Sequence, residues 1–207
     1  PVPHFDHVLF PMLAKMHFFQ KLDVLKHGFY PRGGAAVDVM TKKTTLKPLH
    51  IPEKGKIISI TGISIASKDL AKAKVAERQA KQAKQLLFKK FKLPVKIQTE
   101  YVEALNPGSG IQLTIETEHS FFGGDALGEK GKRAETVAEE AVASLIFSYD
   151  NGTVDKHTAD MLLPYIALVG GSYIVPEITN HVKTNIKVIE QFLDVKFSIN
   201  GNIISLV

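Results

Sequence analysis

Apolar residues recur along this chain with two different periods, and the switch between them marks the elements. Phe5, Val8, Leu9, Met12, Leu13, Met16 and Phe19 fall at three- and four-residue spacing, which predicts a helix with Pro11 inside it. Leu22 to Lys26 and Ala35 to Met40 read as two strands around a turn that holds Pro31, Gly33 and Gly34. Ile57 to Ile65 reads as a longer strand. Ser67 then caps a helix predicted to run to Lys90, with Asp69 in its first turn and Ala73, Ala76, Ala80, Ala83, Leu87 and Phe91 on its buried side. Pro94 stops that helix. Strands follow at Val95 to Val102 and Ile111 to Thr117, joined by Asn106-Pro107-Gly108-Ser109-Gly110. Gln112, Thr114 and Glu116 alternate with apolar neighbours, so one face of the second strand is expected in solvent.

The remainder repeats the same vocabulary. A short strand and turn are expected within Phe121 to Lys132, then a helix from Ala134 to Tyr149 with Val137, Ala141, Leu145 and Phe147 inward. Thr153 to Gly171 reads as a helix disturbed by Pro164 and stopped by glycine. Tyr173 to Ile178 reads as a strand. Thr184 and Asn185 read as N-caps of a helix along which Ile186, Ile189 and Leu193 recur at helical spacing, with Lys187 and Glu190 on the other face. Two strands around Asn200-Gly201 close the chain. The fold class is therefore α+β. Strand, helix, two strands, short strand and helix make a complete α+β unit that looks inserted between two other parts, with boundaries near residues 47 and 149.

Composition narrows the chemistry. The 207 residues are 44% hydrophobic, enough for a core, and contain no cysteine. That excludes disulfides, thiolate metal sites and cysteine nucleophiles together, and it fits a reducing, cytoplasmic setting. No apolar run is long enough to span a bilayer and no signal peptide is visible, so no membrane association is expected. The net charge of +5 permits an anionic partner such as RNA. Pro1, with no Met before it and a helical pattern directly behind it, leads us to expect a fragment or a processed chain.

Four stretches carry candidate chemistry. His181 lies between a strand and a helix, where unpaired N–H groups suit a phosphate; it either satisfies a turn or attacks phosphorus. Arg32 and the glycines of His27-Gly28-Phe29-Tyr30-Pro31-Arg32-Gly33-Gly34 either serve the turn or approach a phosphate. His157 and Asp160 share a helix face; they either form a surface contact or hold a ribose and a base. Lys72, Lys74, Arg78, Lys81, Lys84, Lys89 and Lys90 make the helix at 68–90 basic, as a solvated face or as an RNA contact. The glycines of 121–132 fit neither the dinucleotide nor the Walker spacing.

Together, the His27 to Gly34 turn, the Asp155 to Gly170 helix and His181-x-x-Thr184-Asn185 followed by Ile189-Glu190-Gln191-Phe192-Leu193 resemble the RNA 3′-terminal phosphate cyclases, in the family's order and over the whole chain. The resemblance implies a large domain of repeated units, each a four-stranded sheet with two helices, carrying a smaller inserted α+β domain. Residues 1–46 would end the second repeat, 47–149 would be the insert, and 150–207 the third repeat. It implies ATP-dependent conversion of RNA 3′-phosphate ends to 2′,3′-cyclic phosphates, with His181 as the nucleophile that becomes adenylylated. It places ATP on His157, Thr158, Ala159, Asp160 and Met161, with His157 stacking on adenine and Asp160 holding the ribose. Arg32, Thr184 and Asn185 would contact phosphate or RNA. Mg or Mn would be required, its glutamate ligand lying in the family's N-terminal part, which has no counterpart here, so no metal ligand is expected in this chain. Pro1 or Pro3 lies near a family proline that packs on adenine. Two positions depart from the pattern: Met161 stands where glutamine is common, and Ala35 takes the place of a third glycine. A non-catalytic cyclase-like protein of ribosome assembly and rRNA processing is the alternative; an intact His181-x-x-Thr184-Asn185 favours the enzyme.

Overall fold

The computed structural model describes residues 1–207. A continuous helical stretch opens it, built from α1 (Val2–His4), a π-helical run (Phe5–Leu9) and α2 (Phe10–Lys15). A hairpin follows, β1 (Gln20–Lys26) antiparallel to β2 (Ala36–Thr41). Next come β3 (Leu49–Ile51), β4 (Ile57–Ser67), a 3₁₀ turn (Lys68–Leu70), α3 (Val75–Phe91), β5 (Val95–Val102), β6 (Ser109–Thr117), β7 (Phe121–Leu127) and α4 (Ala134–Asn151). The chain ends with α5 (Thr158–Met161), α6 (Leu163–Val169), β8 (Gly171–Ile174), α7 (Asn180–Phe192), β9 (Phe197–Asn200) and β10 (Ile203–Leu206). The architecture is α+β, as the periodicity predicts.

Two four-stranded sheets organise these elements. In the order β5-β4-β6-β7, β4 and β5 run parallel across α3, and the other pairs are antiparallel. One face is packed by α3 and α4 around Leu87, Leu113, Ile115, Phe122 and Leu145, all fully buried. In the order β3-β8-β10-β9, β3 lies parallel to β8 although the entire first sheet intervenes in sequence. Met12, Leu13, Leu162, Leu163, Ile166, Tyr173 and Val182 fill the core between this second sheet and its helices. Leu49–Ile51 therefore belongs to the sheet formed by the end of the chain. Thr153 Oγ1 donates to the Ile51 carbonyl at 2.9 Å, so the chain leaves and re-enters this sheet at neighbouring points.

Several expectations need correcting. The helix expected over 68–90 is broken: Lys74 adopts a left-handed backbone, φ 50°, and α3 starts only at Val75. Ala73 falls before the break and is exposed. Phe5, Phe19 and Phe147 are exposed rather than core. Gln112 and Thr114 are buried, not solvated, because the opening helix lies over that face, with His4 and Val8 against Gly123, the β7 partner of Thr114. Gln112 lies in the wall of a cavity of about 650 Å³ between the hairpin, α1 and β4, β6 and β7. Finally, α7 begins earlier than its apolar pattern suggests. Thr179 is its N-cap, with Oγ1 accepting from Val182 N–H at 3.2 Å. Thr184 and Asn185 are therefore not caps but lie in the second turn.

Candidate functional site

The early start of α7 changes what its motif does. His181 sits in the first helical turn, exposed, and Thr184 and Asn185 follow at i+3 and i+4. That spacing stacks the three side chains on one face of the helix. The Val182 and Lys183 amides are taken up by Thr179, whereas those of Asn180 and His181 meet no acceptor in the protein. An exposed imidazole thus stands beside free N–H groups at the positive end of a thirteen-residue helix.

The same face meets α5. Asn185 Nδ2 donates to Asp160 Oδ2 at 3.2 Å, joining two stretches that lie 25 residues apart. Asp160 is half-buried and keeps its other carboxylate oxygen free of protein donors. His157 and Asp160 share a face, but they do not pair with each other. His157 Nε2 lies 3.8 Å from Asp125 Oδ1, and its ring is half-open to solvent. Met161 is also half-buried. Thr158 and Ala159 turn inward: Tyr173 O–H donates to the Ala159 carbonyl at 2.6 Å, and the Thr158 hydroxyl donates to Asp155 Oδ2 at 2.7 Å. Burial first, and the Asp160 carboxylate second, push the Tyr173 phenol far above its ordinary range, so it remains a donor.

Arg32 is held elsewhere. Its loop docks on the β5–β6 connection, where Asn106 Nδ2 donates to the Phe29 carbonyl at 3.1 Å, and a Cβ at Gly108 would meet the Phe29 ring at 2.3 Å. Gly33 and Gly34 have φ of 62° and 79°, so the turn demands them. Ala35 has no positive φ, which explains why alanine is accepted there. No hydrogen bond or ion pair links Arg32 to α5 or α7.

Three participants escaped the sequence reading. Asp155 is fully buried and caps α5: its Oδ1 accepts from His157 N–H at 2.8 Å and from Thr158 N–H at 2.9 Å. Its Oδ2 also accepts from Gly123 N–H of β7 at 3.1 Å. His4 is buried with Nε2 at 3.3 Å from Thr158 Oγ1, and its ring stands edge-on to His157 at 5.7 Å. Burial lowers the His4 pKa more than the nearby Asp155 carboxylate raises it, so the ring is held neutral. Asp125 completes the set on β7. An aspartate two and three residues ahead of helical N–H groups is a cap signal that could have revealed Asp155; His4 and Asp125 carry no such local signal.

A family model described as RNA 3′-terminal phosphate cyclase matches residues 1–199 of this chain. The chain belongs to the RNA 3′-terminal phosphate cyclase family. Similar curated relatives named RNA 3′-terminal phosphate cyclase occur in Thermococcus kodakarensis, 40% identical over 98% of this chain and 59% of the relative, and in Sulfurisphaera tokodaii, 40% identical over 92% and 56%. The chain thus spans less than two thirds of the length of these cyclases. No helix is long and apolar enough to cross a membrane.

Proposed function

We propose that this chain carries the adenylyl-transfer site of an ATP-dependent RNA 3′-phosphate cyclase, with His181 as the nucleophile. One observation carries the reading: the Asn185–Asp160 bond unites the His181 face of α7 with the nucleotide segment on α5. On this reading ATP lies along the face where α5 and α7 meet. His157 offers its ring to the adenine, the free Asp160 oxygen accepts from a ribose hydroxyl, and Met161 borders the base. Thr158 and Ala159 seat the segment from within. The unengaged Asn180 and His181 amides receive phosphate oxygens, and Thr184 lies on the same helix face as His181. Arg32, on the far loop, is assigned to the RNA strand rather than to ATP. We assign residues 1–46 and 150–207 to the large domain and the intervening segment to the insert, with Leu49–Ile51 as the large-domain strand inside that segment.

The chemistry is three successive displacements at phosphorus. An imidazole nitrogen lone pair of His181 attacks the α-phosphorus, a P–N bond forms, and pyrophosphate leaves with the electrons of the P–O bond. An oxygen of the RNA 3′-phosphate then takes the AMP and frees the imidazole. The neighbouring 2′-hydroxyl attacks the activated 3′-phosphorus, loses its proton, and expels AMP as the ring closes. A divalent cation of the family kind would neutralise the triphosphate. No residue of this chain is assigned to it.

Incubation with ATP and Mg²⁺ or Mn²⁺ should add one AMP, seen as an acid-labile mass increment, and His181→Ala should abolish it. An adduct that persists in His181→Ala removes the nucleophile from the proposal. Failure of the intact protein to form any adduct returns the chain to the binding role of a non-catalytic cyclase-like protein.

A further inference from the structure

Asp155 is a carboxylate with no access to solvent, and it touches three separate segments. Both Oδ1 contacts go to the amides of His157 and Thr158, at 2.8 and 2.9 Å. Its backbone carbonyl accepts from Ala159 N–H at 2.9 Å, so the side chain and main chain of one residue hold the first turn of the nucleotide segment. Oδ2 accepts from the Thr158 hydroxyl and from Gly123 N–H. That amide lies on β7, an edge strand with no further strand beyond it. His4, from the opening helix, closes the cluster with Nε2 at 3.8 Å from Asp155 Oδ1. The fit leaves no slack: a Cβ at Gly123 would meet His4 Nδ1 at 2.6 Å.

We infer that Asp155 is the positioning residue of the nucleotide segment, bolting the start of α5 to the edge of the β5-β4-β6-β7 sheet and thereby fixing where His157 and Asp160 stand. The inference rests on the proposed adenylyl-transfer site and names a residue that acts on it without touching ATP. Each oxygen has its own task. Oδ1 caps the helix, which an asparagine oxygen can also do. Oδ2 ties the cap to β7 and to Thr158, and an asparagine NH₂ cannot accept from either. Asp155→Asn therefore keeps the cap and cuts the tie. Thr158→Val cuts the hydroxyl contact to Asp155 and His4 at nearly constant shape, and Thr158→Ser restores it. His157 and Asp160 are intact in all three variants, so a loss must come from their placement.

The test is single-turnover adenylylation of the intact protein against ATP concentration, with wild type scored first. Asp155→Asn and Thr158→Val should raise the half-saturating ATP concentration about tenfold, the equivalent of one strong hydrogen bond, with the limiting rate changed less than about threefold. Thr158→Ser should return the wild-type curve. Amide hydrogen exchange should be faster at Gly123 in Asp155→Asn, where its acceptor Oδ2 is lost, with the α4 amides unchanged. If Asp155→Asn does not fold, the Thr158 pair alone decides. A wild-type protein that forms adduct while Thr158→Val has the wild-type ATP dependence overturns the inference and leaves the proposed function standing. A wild type without adduct overturns both. Lower thermal stability with unchanged ATP dependence reduces Asp155 to a structural cap and also refutes the positioning role.

Discussion

If the Asn185–Asp160 bond assembles the site, its two members must act on ATP as a pair. Asn185→Ala removes the donor at 3.2 Å, near the long end for a hydrogen bond, and leaves both helices otherwise intact. A fully buried hydrogen bond to a charged group contributes about 1.5–3 kcal/mol. This pair is only half-buried and the contact is long, so about 1 kcal/mol is the reasonable figure, a fivefold change in affinity. Asp160→Ala should cost more, about 1–3 kcal/mol, because it also removes the acceptor offered to the ribose. The assay is calorimetric ATP titration of wild type, both single variants and the double variant. Once Asp160 is gone, Asn185 has nothing left to orient. The double variant should therefore bind ATP like Asp160→Ala, giving a coupling energy near 1 kcal/mol. Additive losses would mean that Asn185 and Asp160 meet ATP independently. Wild-type affinity in Asp160→Ala would dismiss the nucleotide segment altogether.

Three further outcomes follow. Tyr173→Phe keeps the buried ring but strips one bond from the Ala159 carbonyl; it should cost about 1–2 kcal/mol, a melting temperature lower by about 2–8 °C. The depressed His4 pKa means that the unfolded chain binds more protons than the folded one below the ordinary histidine value of 6.5. Stability is thus complete above that value and falls as pH drops below it, and urea midpoints between pH 7.5 and 5.5 should decline less in His4→Gln. On α3, Arg78 is occupied by Glu135, whose carboxyl it holds down to about 2, and Lys90 by Asp150, whereas Lys81, Lys84 and Lys89 are exposed and unpaired. Charge reversal at those three should weaken RNA binding and flatten its salt dependence without altering ATP binding; unchanged RNA affinity at low salt would leave the face merely solvated.

The sequence is most informative where structure is local. The strands β4, β5 and β6, the inward side of α4 apart from Phe147, and the glycine stop at Gly170 follow from periodicity and turn chemistry, because near neighbours decide them. The family is also legible, through the order of its motifs along the chain. What failed depended on partners far away. Gln112 and Thr114 alternate like a solvated face, and it takes the opening helix, about a hundred residues away in sequence, to cover it. Leu49–Ile51 is too short to read as a strand, and its parallel partner is β8. The start of α7 is hidden because Tyr173 to Ile178 reads as strand throughout, whereas β8 ends at Ile174 and Thr179 is the cap. His4 and Asp155 lie 151 positions apart in sequence and become meaningful only when they meet.

The bond from Thr153 to the Ile51 carbonyl has a consequence for how the chain folds. It closes a separation of 102 residues. For a flexible chain, bringing such ends together costs about 4 kcal/mol in entropy from the logarithmic length term alone. Three residues of β3 pairing with β8 are poor compensation for that. The cost changes if the intervening strands and helices fold first, because they then hold residues 51 and 153 close together in advance. Joining β3 to β8 becomes a nearly local event, and the slow long-range search that parallel pairing normally imposes is removed. In kinetic terms the middle of this chain acts as a splint: the sheet carrying the end of the chain can be completed quickly only after residues 57–151 have found their own structure.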